Sequence, residues 1–474
     1  MRSTGPFLYM PMEIASRELD SRLLIALFAV QAGLEVVLGQ KWLLQKNARH
    51  MPKGFWIFKT LTPGDAKQMT EIKQLGHRIS AIDEEMPGLG RGCGRLRWVD
   101  HISVETCEAI FCLGKEHIRC MAGKYPEHAA KLIETGNPRW DFLRPEIRSL
   151  YAHDAESIKA KYGRFILINT NIGLMNSAKS SPEKLISSLT RDGRVNLSIP
   201  EDRAFIDNIK TFESANFTAA LSLVGRLGHE FPAHSIVLRP HPTEKLEPYE
   251  RELAGKDRVF ILREGSATAW LSACEVLVHT SCTTGVEAYA LGKPSVCFQT
   301  IASPLHTYFL SSALSVIATH EDEVVNALKA ILNTRREPTE DREKREIFHG
   351  FFAGQDGMFA AAQIANFVTE SVAKASLSEK PKWRAGWLFR RKWFASKFQR
   401  KIFPDFSETE IAARLTQLAQ VVGFDGIPHV TKCGDGQYHI YSHILEKAIP
   451  RKWGFGGITP AEKLKQQMQT HPAA

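Results

Sequence analysis

The stretch Leu262-Arg-Glu-Gly-Ser-Ala-Thr-Ala-Trp-Leu-Ser-Ala-Cys-Glu-Val-Leu-Val-His-Thr-Ser-Cys-Thr-Thr-Gly-Val-Glu-Ala-Tyr-Ala-Leu-Gly-Lys-Pro294 reads as a helix, a strand, a hydroxyl-rich turn and a second short helix. An apolar run of strand length, Val276 to His279, leads into Ser281, Thr283 and Thr284, and Gly292-Lys293-Pro294 closes the following helix. That is half of a βαβ unit. Exposed amides and the positive dipole end of a helix that starts at such a turn suit a phosphate, with the three hydroxyls as further donors and Gly285 allowing close backbone approach. The same Ser and Thr residues also serve as ordinary helix caps. Glu287 falls one turn inside the helix, where a carboxylate can meet ribose hydroxyls or simply face solvent.

Working outward, strands recur at Arg164 to Asn169, Ser235 to Arg239, Arg258 to Leu262 and Ser295 to Phe298, with a long helical stretch between Glu201 and Leu227. An earlier series runs through Phe7 to Met12, Leu34 to Leu38, Gly54 to Leu61, Arg78 to Asp83, Ala109 to Gly114 and Lys131 to Gly136. Its first helix reaches from a Ser16 cap to Gln31, with Leu19, Leu23, Leu27 and Val30 on one face. Alternating strands and helices imply parallel sheets with crossover helices. The expected fold is therefore α/β: two Rossmann-like, doubly wound domains facing a cleft, the GT-B arrangement. Residues 1–150 form the first, acceptor-side domain and 160–345 the second, nucleotide-binding one, with a linker near 145 to 162. Residues 346–474 form a helical C-terminal extension.

The totals agree with this division. A chain of 474 residues exceeds one ordinary core, and 43% hydrophobic with 24% charged residues is the usage of a globular enzyme rather than a disordered or fibrous chain. Leu23 to Gly39 is short for a membrane span and carries Gln31, Gly33 and Glu35, so it reads as a core helix followed by a buried strand. Met1 to Glu13 has no charged start, apolar stretch and small-residue cleavage site, which predicts a cytoplasmic chain. Eight cysteines without a CxxC pair, mostly in apolar runs, suit reduced buried thiols. Cys107, Cys112 and Cys120 with His101 and His117 fit no zinc spacing.

Two further clusters carry chemistry. Val237-Leu-Arg-Pro-His-Pro242 leaves a strand with Arg239, able to hold a phosphate oxygen, and His241, able to protonate a departing phosphate; Pro242 completes the turn. Ile79-Ser-Ala-Ile-Asp-Glu-Glu-Met-Pro-Gly-Leu-Gly90 places Asp83, Glu84 and Glu85 just past a strand end, ahead of the Gly88 to Gly94 loop, where a carboxylate can take a proton from an attacking hydroxyl. No Asp-x-Asp pair accompanies them. The expectation is metal-independent chemistry with no cofactor. Arg17 and Glu18, at the first strand-to-helix turn, are candidates for the acceptor side. Between Lys380 and Lys401 stand nine Lys or Arg and no acid, interleaved with Trp383, Trp387, Phe389, Trp393, Phe394 and Phe398; this excess equals the net charge of +9. Such a stretch suits an anionic membrane face or covers the domains with its aromatics, and no nucleic-acid module accompanies it.

Four ordered motifs resemble the bacterial surface carbohydrate biosynthesis proteins: Pro11-Met-Glu-Ile-Ala-Ser-Arg-Glu-Leu-Asp-Ser-Arg-Leu-Leu24, the Asp83-Glu-Glu85 turn, Thr135-Gly-Asn-Pro-Arg-Trp-Asp-Phe-Leu-Arg-Pro145 and Phe165-Ile-Leu-Ile-Asn-Thr-Asn171. The likeness runs from about residue 7 to beyond 300. The trio of acid pair, His-Pro and Ser/Thr turn is similar to that of bacterial sialyltransferases and Kdo transferases, GT-B enzymes that use CMP-activated ulosonic acids without a metal. This resemblance implies a glycosyltransferase of capsule or lipopolysaccharide synthesis with a CMP-Kdo or CMP-nonulosonate donor and a saccharide or lipid-linked acceptor. It implies a base at Glu84, then Glu85, then Asp83, with His241, Ser281, Thr283 and Thr284 on the donor phosphate. In those enzymes the acid pair directly precedes a glycine, whereas here Met86 and Pro87 intervene before Gly88. The alternatives are a nucleotide-sugar epimerase, a glycerol-phosphate-type polymer transferase, and a non-catalytic GT-B scaffold.

Overall fold

The structure is a computed structural model that describes residues 6–84, 93–333, 341–374, 403–424, 426 and 428–442. The first sheet contains β1 (Phe7–Met12), β2 (Glu35–Gln40), β3 (Gly54–Phe58), β4 (Arg78–Ile82), β5 (Ala109–Cys112) and β6 (Leu132–Glu134), all parallel. The second contains β7 (Phe165–Asn169), β8 (Ser235–Arg239), β9 (Val259–Ile261), β10 (Val276–His279), β11 (Ser295–Phe298) and β12 (Val316–Ala318), in the order β12-β11-β10-β7-β8-β9. Strands such as Phe165-Ile-Leu-Ile are buried throughout because helices cover both faces, which is why they read as unbroken apolar runs.

Ligands in open parallel sheets bind beyond the carboxyl ends of the strands where the order reverses. The reversals here fall between β1 and β3 in the first sheet and between β7 and β10 in the second. The two carboxyl edges face each other: Arg139, beyond β6, reaches Glu287, beyond β10. Arg97, beyond β4, pairs with Asp202 and stacks 4.1 Å from the Phe205 ring centroid. Trp98 packs against the second domain's satellite cluster of Leu174, Ile186, Val195 and Ile206. Two doubly wound domains opposed across such a cleft make a GT-B fold.

The C-terminal segment carries the helices expected of the extension and adds two strands to them. Helices Ala360–Lys374 and Glu408–Val422 pack on the helix Ala15–Gln31, burying Ile364, Val368, Ile411 and Leu415 with Leu23 and Leu27. The chain then adds a hairpin, β13 (His429–Gly434) and β14 (Gln437–Tyr441), antiparallel to β2, so the first sheet has eight strands. His439 Nε2 lies 2.9 Å from Glu35 Oε2 and ties the hairpin to β2. The expected linker is itself helical, ending in Ala152–Tyr162. The greasy stretch from Leu23 is core helix and buried strand, and no described helix is long and apolar enough to cross a membrane.

Candidate active site between the two domains

Asp83 and Glu84 follow β4 directly and are 4% and 2% exposed, although two carboxylates at a strand end would ordinarily be solvated. Glu84 is fixed by its backbone N–H, which donates to the Lys59 carbonyl at 2.8 Å, and by Arg17, which donates to its carbonyl at 3.3 Å. Its carboxylate lies 3.2 Å from the Arg22 guanidinium and 3.8 Å from that of Arg139. The other end of the Arg139 guanidinium is 3.9 Å from Glu287 of the second domain. Arg22 and Glu84 have fully buried side chains whose polar atoms make no hydrogen bond. Burying an ion pair that leaves its lone pairs and protons unmatched costs stability, so packing alone does not account for it. Burial raises the Glu287 carboxyl above its ordinary range, against the pull of Arg139, Arg239 and Arg17. Glu85 and Gly88 lie outside the described residues.

In the second domain the expected turn sits at the β7/β10 reversal. Asn169, the last residue of β7, donates to Thr284 Oγ1 at 3.0 Å and so couples the two central strands at their carboxyl ends. Thr283 is exposed at the start of the helix Thr284–Ala290, and its side chain makes no capping hydrogen bond. Two expectations are corrected. Ser281 is wholly buried, and its hydroxyl turns inward to Ser312 (3.3 Å), His306 Nδ1 (3.5 Å) and Cys297, away from the cleft, on a backbone held at φ 61°. Gly285 serves packing: a Cβ there would stand 2.4 Å from His279 Nε2 and 2.9 Å from the Ser311 Cβ.

His241 is half-buried. Its Nδ1 accepts from the Thr243 N–H at 3.3 Å and lies 2.8 Å from Thr243 Oγ1, which leaves Nε2 as the protonated nitrogen of the neutral ring. Arg239 is placed differently from expectation. Its NH2 donates to the carbonyls of Arg263, Glu264 and Gly265, its guanidinium stacks 5.2 Å from the Trp270 centroid, and burial lowers it to about 10. It holds the 263–265 turn in place, with its buried Nε unbonded. Pro242 is exposed beside it.

Beneath His241 sits a residue that sequence reasoning passed over. Glu244 is fully buried and accepts from the Thr170 hydroxyl (2.9 Å), the Ile172 N–H (3.0 Å), the Tyr249 hydroxyl (2.6 Å) and the His241 N–H (2.9 Å). One carboxylate thus sets both the loop after β7 and the loop after β8. Glu213 holds the same β7 loop from the other side, accepting from the Leu174 and Met175 N–H groups at 2.8 Å, and burial raises it to about 7.

The β1/β3 reversal in the first sheet carries a second ionic cluster, also missed apart from Glu18. Lys59 pairs with Glu13 at 2.6 Å and with Glu18 at 3.1 Å; Lys41 pairs with Glu13 at 3.0 Å and with Asp65. Burial alone would raise Glu13, yet Lys59 and Lys41 bring it down to about 2. Burial likewise works against both lysines and is outweighed by Asp65 and Glu13 at Lys41 and by Glu18 and Glu13 at Lys59. Glu18 also accepts from the Glu13 N–H at 2.8 Å across the start of the first helix; the Ser16 side chain, the expected cap, lies outside the described residues.

The motif Thr135 to Pro145 is mainly a dock for the returning chain. Asp141 accepts from the Ala360 and Ala361 N–H groups at 3.0 and 2.9 Å, and Arg144 donates to the carbonyls of Gly354 and Gly357. Gly136, at φ +79°, leaves no room for a Cβ against the Ala353 carbonyl. Of this motif, Arg139 is the residue that enters the cleft. Contrary to the expectation of reduced thiols throughout, Cys93 and Cys120 are joined in a disulfide, while the other six cysteines are free and buried. The basic segment 380–401 lies outside the described residues.

No protein-family model matches the sequence, and a search of curated proteins finds no match. Among solved structures the chain is similar to a UDP-GlcNAc 2-epimerase of Methanocaldococcus jannaschii in complex with UDP-GlcNAc and UDP, at 9% identity and TM-score 0.48, covering 77% of this chain and 100% of that one. It is similar also to S. aureus MnaA with UDP (12%, TM-score 0.49, 79% and 99%) and to the wall teichoic acid polymerase TagF (12%, TM-score 0.48, 78% and 89%).

Proposed function

We propose that the chain is a glycosyltransferase of bacterial surface polysaccharide biosynthesis, transferring Kdo or another ulosonic acid from a CMP donor to a saccharide or lipid-linked acceptor without a metal. The observation that carries this reading is the pair of carboxylates, Glu84 and Glu287, brought from opposite domains to the two ends of the Arg139 guanidinium. Arg17 and Arg139, with Arg22 buried behind Glu84, make this part of the cleft arginine-rich, which supports a donor bearing both a phosphate and a sugar carboxylate.

In this reading the acceptor hydroxyl loses its proton to Glu84, oriented by Arg22, as its oxygen bonds to the anomeric carbon. The bond from that carbon to the phosphate oxygen breaks, and the CMP phosphate leaves with the electron pair. His241, its Nδ1 turned to Thr243, presents the Nε2 proton to the departing oxygen. Thr283, Thr284 and the backbone at the start of their helix receive the phosphate, and Glu287 the ribose. Segment 380–401 places the enzyme against the anionic inner face of the membrane.

The test is thermal stabilisation of the purified protein by CMP, CDP, UDP, UMP and GDP, since a ligand that binds only the folded state raises apparent stability. A CMP-selective shift lost in His241→Ala, with Glu84→Gln retaining the shift but losing transfer by roughly a hundredfold or more, is the expected result. Selectivity for UDP or GDP would sink the CMP donor. Donor turnover without acceptor would point to an epimerase, and no shift with any nucleotide to a scaffold.

A further inference from the structure

On the side of the first sheet that ends in the edge strand β6, two imidazoles and two carboxylates converge from two short elements. His101 opens the helix His101–Thr106, with Glu105 one turn further along; Glu127 and His128 share the 3-10 turn Pro126–Lys131. Glu127 Oε1 lies 3.7 Å from His101 Nε2 and 3.6 Å from His128 Nε2, and the ligand atoms of the three residues all lie within 4.8 Å of one another. The two rings are 5.7 Å apart. His128 Nε2 is buried and makes no hydrogen bond, although the ring as a whole is only 14% exposed. The turn is held against the helix: the Tyr125 hydroxyl donates to the Val99 carbonyl at 2.8 Å, and the His128 N–H donates to the Tyr125 carbonyl at 3.0 Å.

We propose that His101, His128 and Glu127 form a binding site for a divalent transition-metal ion, zinc above all, with Glu105 positioning His101 from behind.

Three arguments carry it. First, zinc takes imidazole nitrogen and carboxylate oxygen at about 2.0–2.2 Å, so ligands around one tetrahedral ion stand roughly 3.3 Å apart, and the observed 3.6 and 3.7 Å need only a small rotamer adjustment. Second, both imidazoles turn Nε2 toward the same Glu127 oxygen, so a single dication placed among them would be met by all three ligand atoms at once. Third, Glu105 Oε2 is 4.0 Å from His101 Nδ1, the nitrogen that does not face Glu127. A carboxylate behind a ligand imidazole accepts its N–H, fixes the tautomer and raises ligand basicity. Imidazole with carboxylate selects zinc or its transition-metal neighbours over magnesium or calcium, which take oxygen ligands. The ion would pin the helix before β5 to the turn before β6, and no residue of the cleft takes part. All cysteines other than the bonded pair are buried, so thiols do not compete at the surface.

The experiment uses the untagged full-length protein stripped with EDTA and titrated with ZnCl2 or MgCl2 by calorimetry, with melting followed in parallel. One zinc per chain, a higher melting temperature and no response to magnesium are expected. His101→Ala and His128→Ala should each weaken zinc binding tenfold or more, and Glu105→Gln by about tenfold, with melting in EDTA unchanged. Cobalt should give a visible absorption band that disappears in His128→Ala. Zinc binding that persists in the His101→Ala/His128→Ala double variant, or none by the parent protein at about 100 µM zinc, would overturn the site.

Discussion

Glu84 and Glu287 belong to different domains, yet the two ends of the Arg139 guanidinium stand 3.8 Å from the first and 3.9 Å from the second. The bridge is long and Arg139 is 27% exposed, so its net worth is modest. We expect a double-mutant cycle between Arg139→Ala and Glu287→Gln, read from urea denaturation, to give a coupling of roughly 0.5–1 kcal/mol. A coupling indistinguishable from zero would mean that the two domains do not communicate through this arginine.

Glu244→Ala removes the shared acceptor of the Thr170, Ile172, Tyr249 and His241 donors. Leaving several buried donors unmatched should cost on the order of 3–5 kcal/mol. Hydrogen exchange is the discriminating readout. Protection should fall at the Ile172 and His241 amides together, while β11 and β12 stay protected, and Glu244→Gln should do less damage on both counts.

Gly285→Ala separates packing from ligand binding. The new methyl would meet His279 at 2.4 Å, and the overpacking should cost about 1–3 kcal/mol. If packing is the whole reason for the glycine, the added penalty shrinks in a His279→Ala background to the strain left against the Ser311 Cβ, and the nucleotide-induced thermal shift is kept. A nucleotide shift lost in that background would return Gly285 to a role at the phosphate.

Glu213 gives a pH signature. Burial holds its folded carboxyl near 7, above the ordinary 4.5, so between these values the folded state keeps a proton that the unfolded state has lost. Stability from this group therefore falls as pH rises from about 4.5 to about 7 and is flat beyond. Glu213→Gln keeps an oxygen for the Leu174 and Met175 amides, so it should gain on the parent protein across that window, by up to about 3 kcal/mol. Parallel denaturation curves at pH 5 and pH 8 measure it.

Most of the strands could be read in advance, because a parallel strand covered on both faces must be apolar along its length, as Phe165 to Ile168 and Val276 to Val278 are. The C-terminal hairpin escaped notice. His429 to Tyr441 mixes Lys432, Gly434 and Asp435 into a short run and acquires its strand character from pairing with β2. Asp83, Glu84, Arg239 and His241 stand at or just past strand ends, since chain position fixes that much. Their orientation was another matter: the Ser281 hydroxyl turned inward and the Arg239 fork went to backbone carbonyls.

The sequence by itself determined the alternation of strands and helices, the two sheets, and the turns at which chemistry can sit, because these follow from local periodicity and backbone preference. Tertiary structure alone decided that Arg139 meets Glu287, that Glu244 lies under His241, that Lys59 and Lys41 share Glu13, and that the chain returns to cover the helix Ala15–Gln31. Apart from Glu244 and His241, three residues apart, those pairings join residues far apart in the chain. Buried charges must be matched by whatever the fold brings within reach, and no local pattern records which partner that will be.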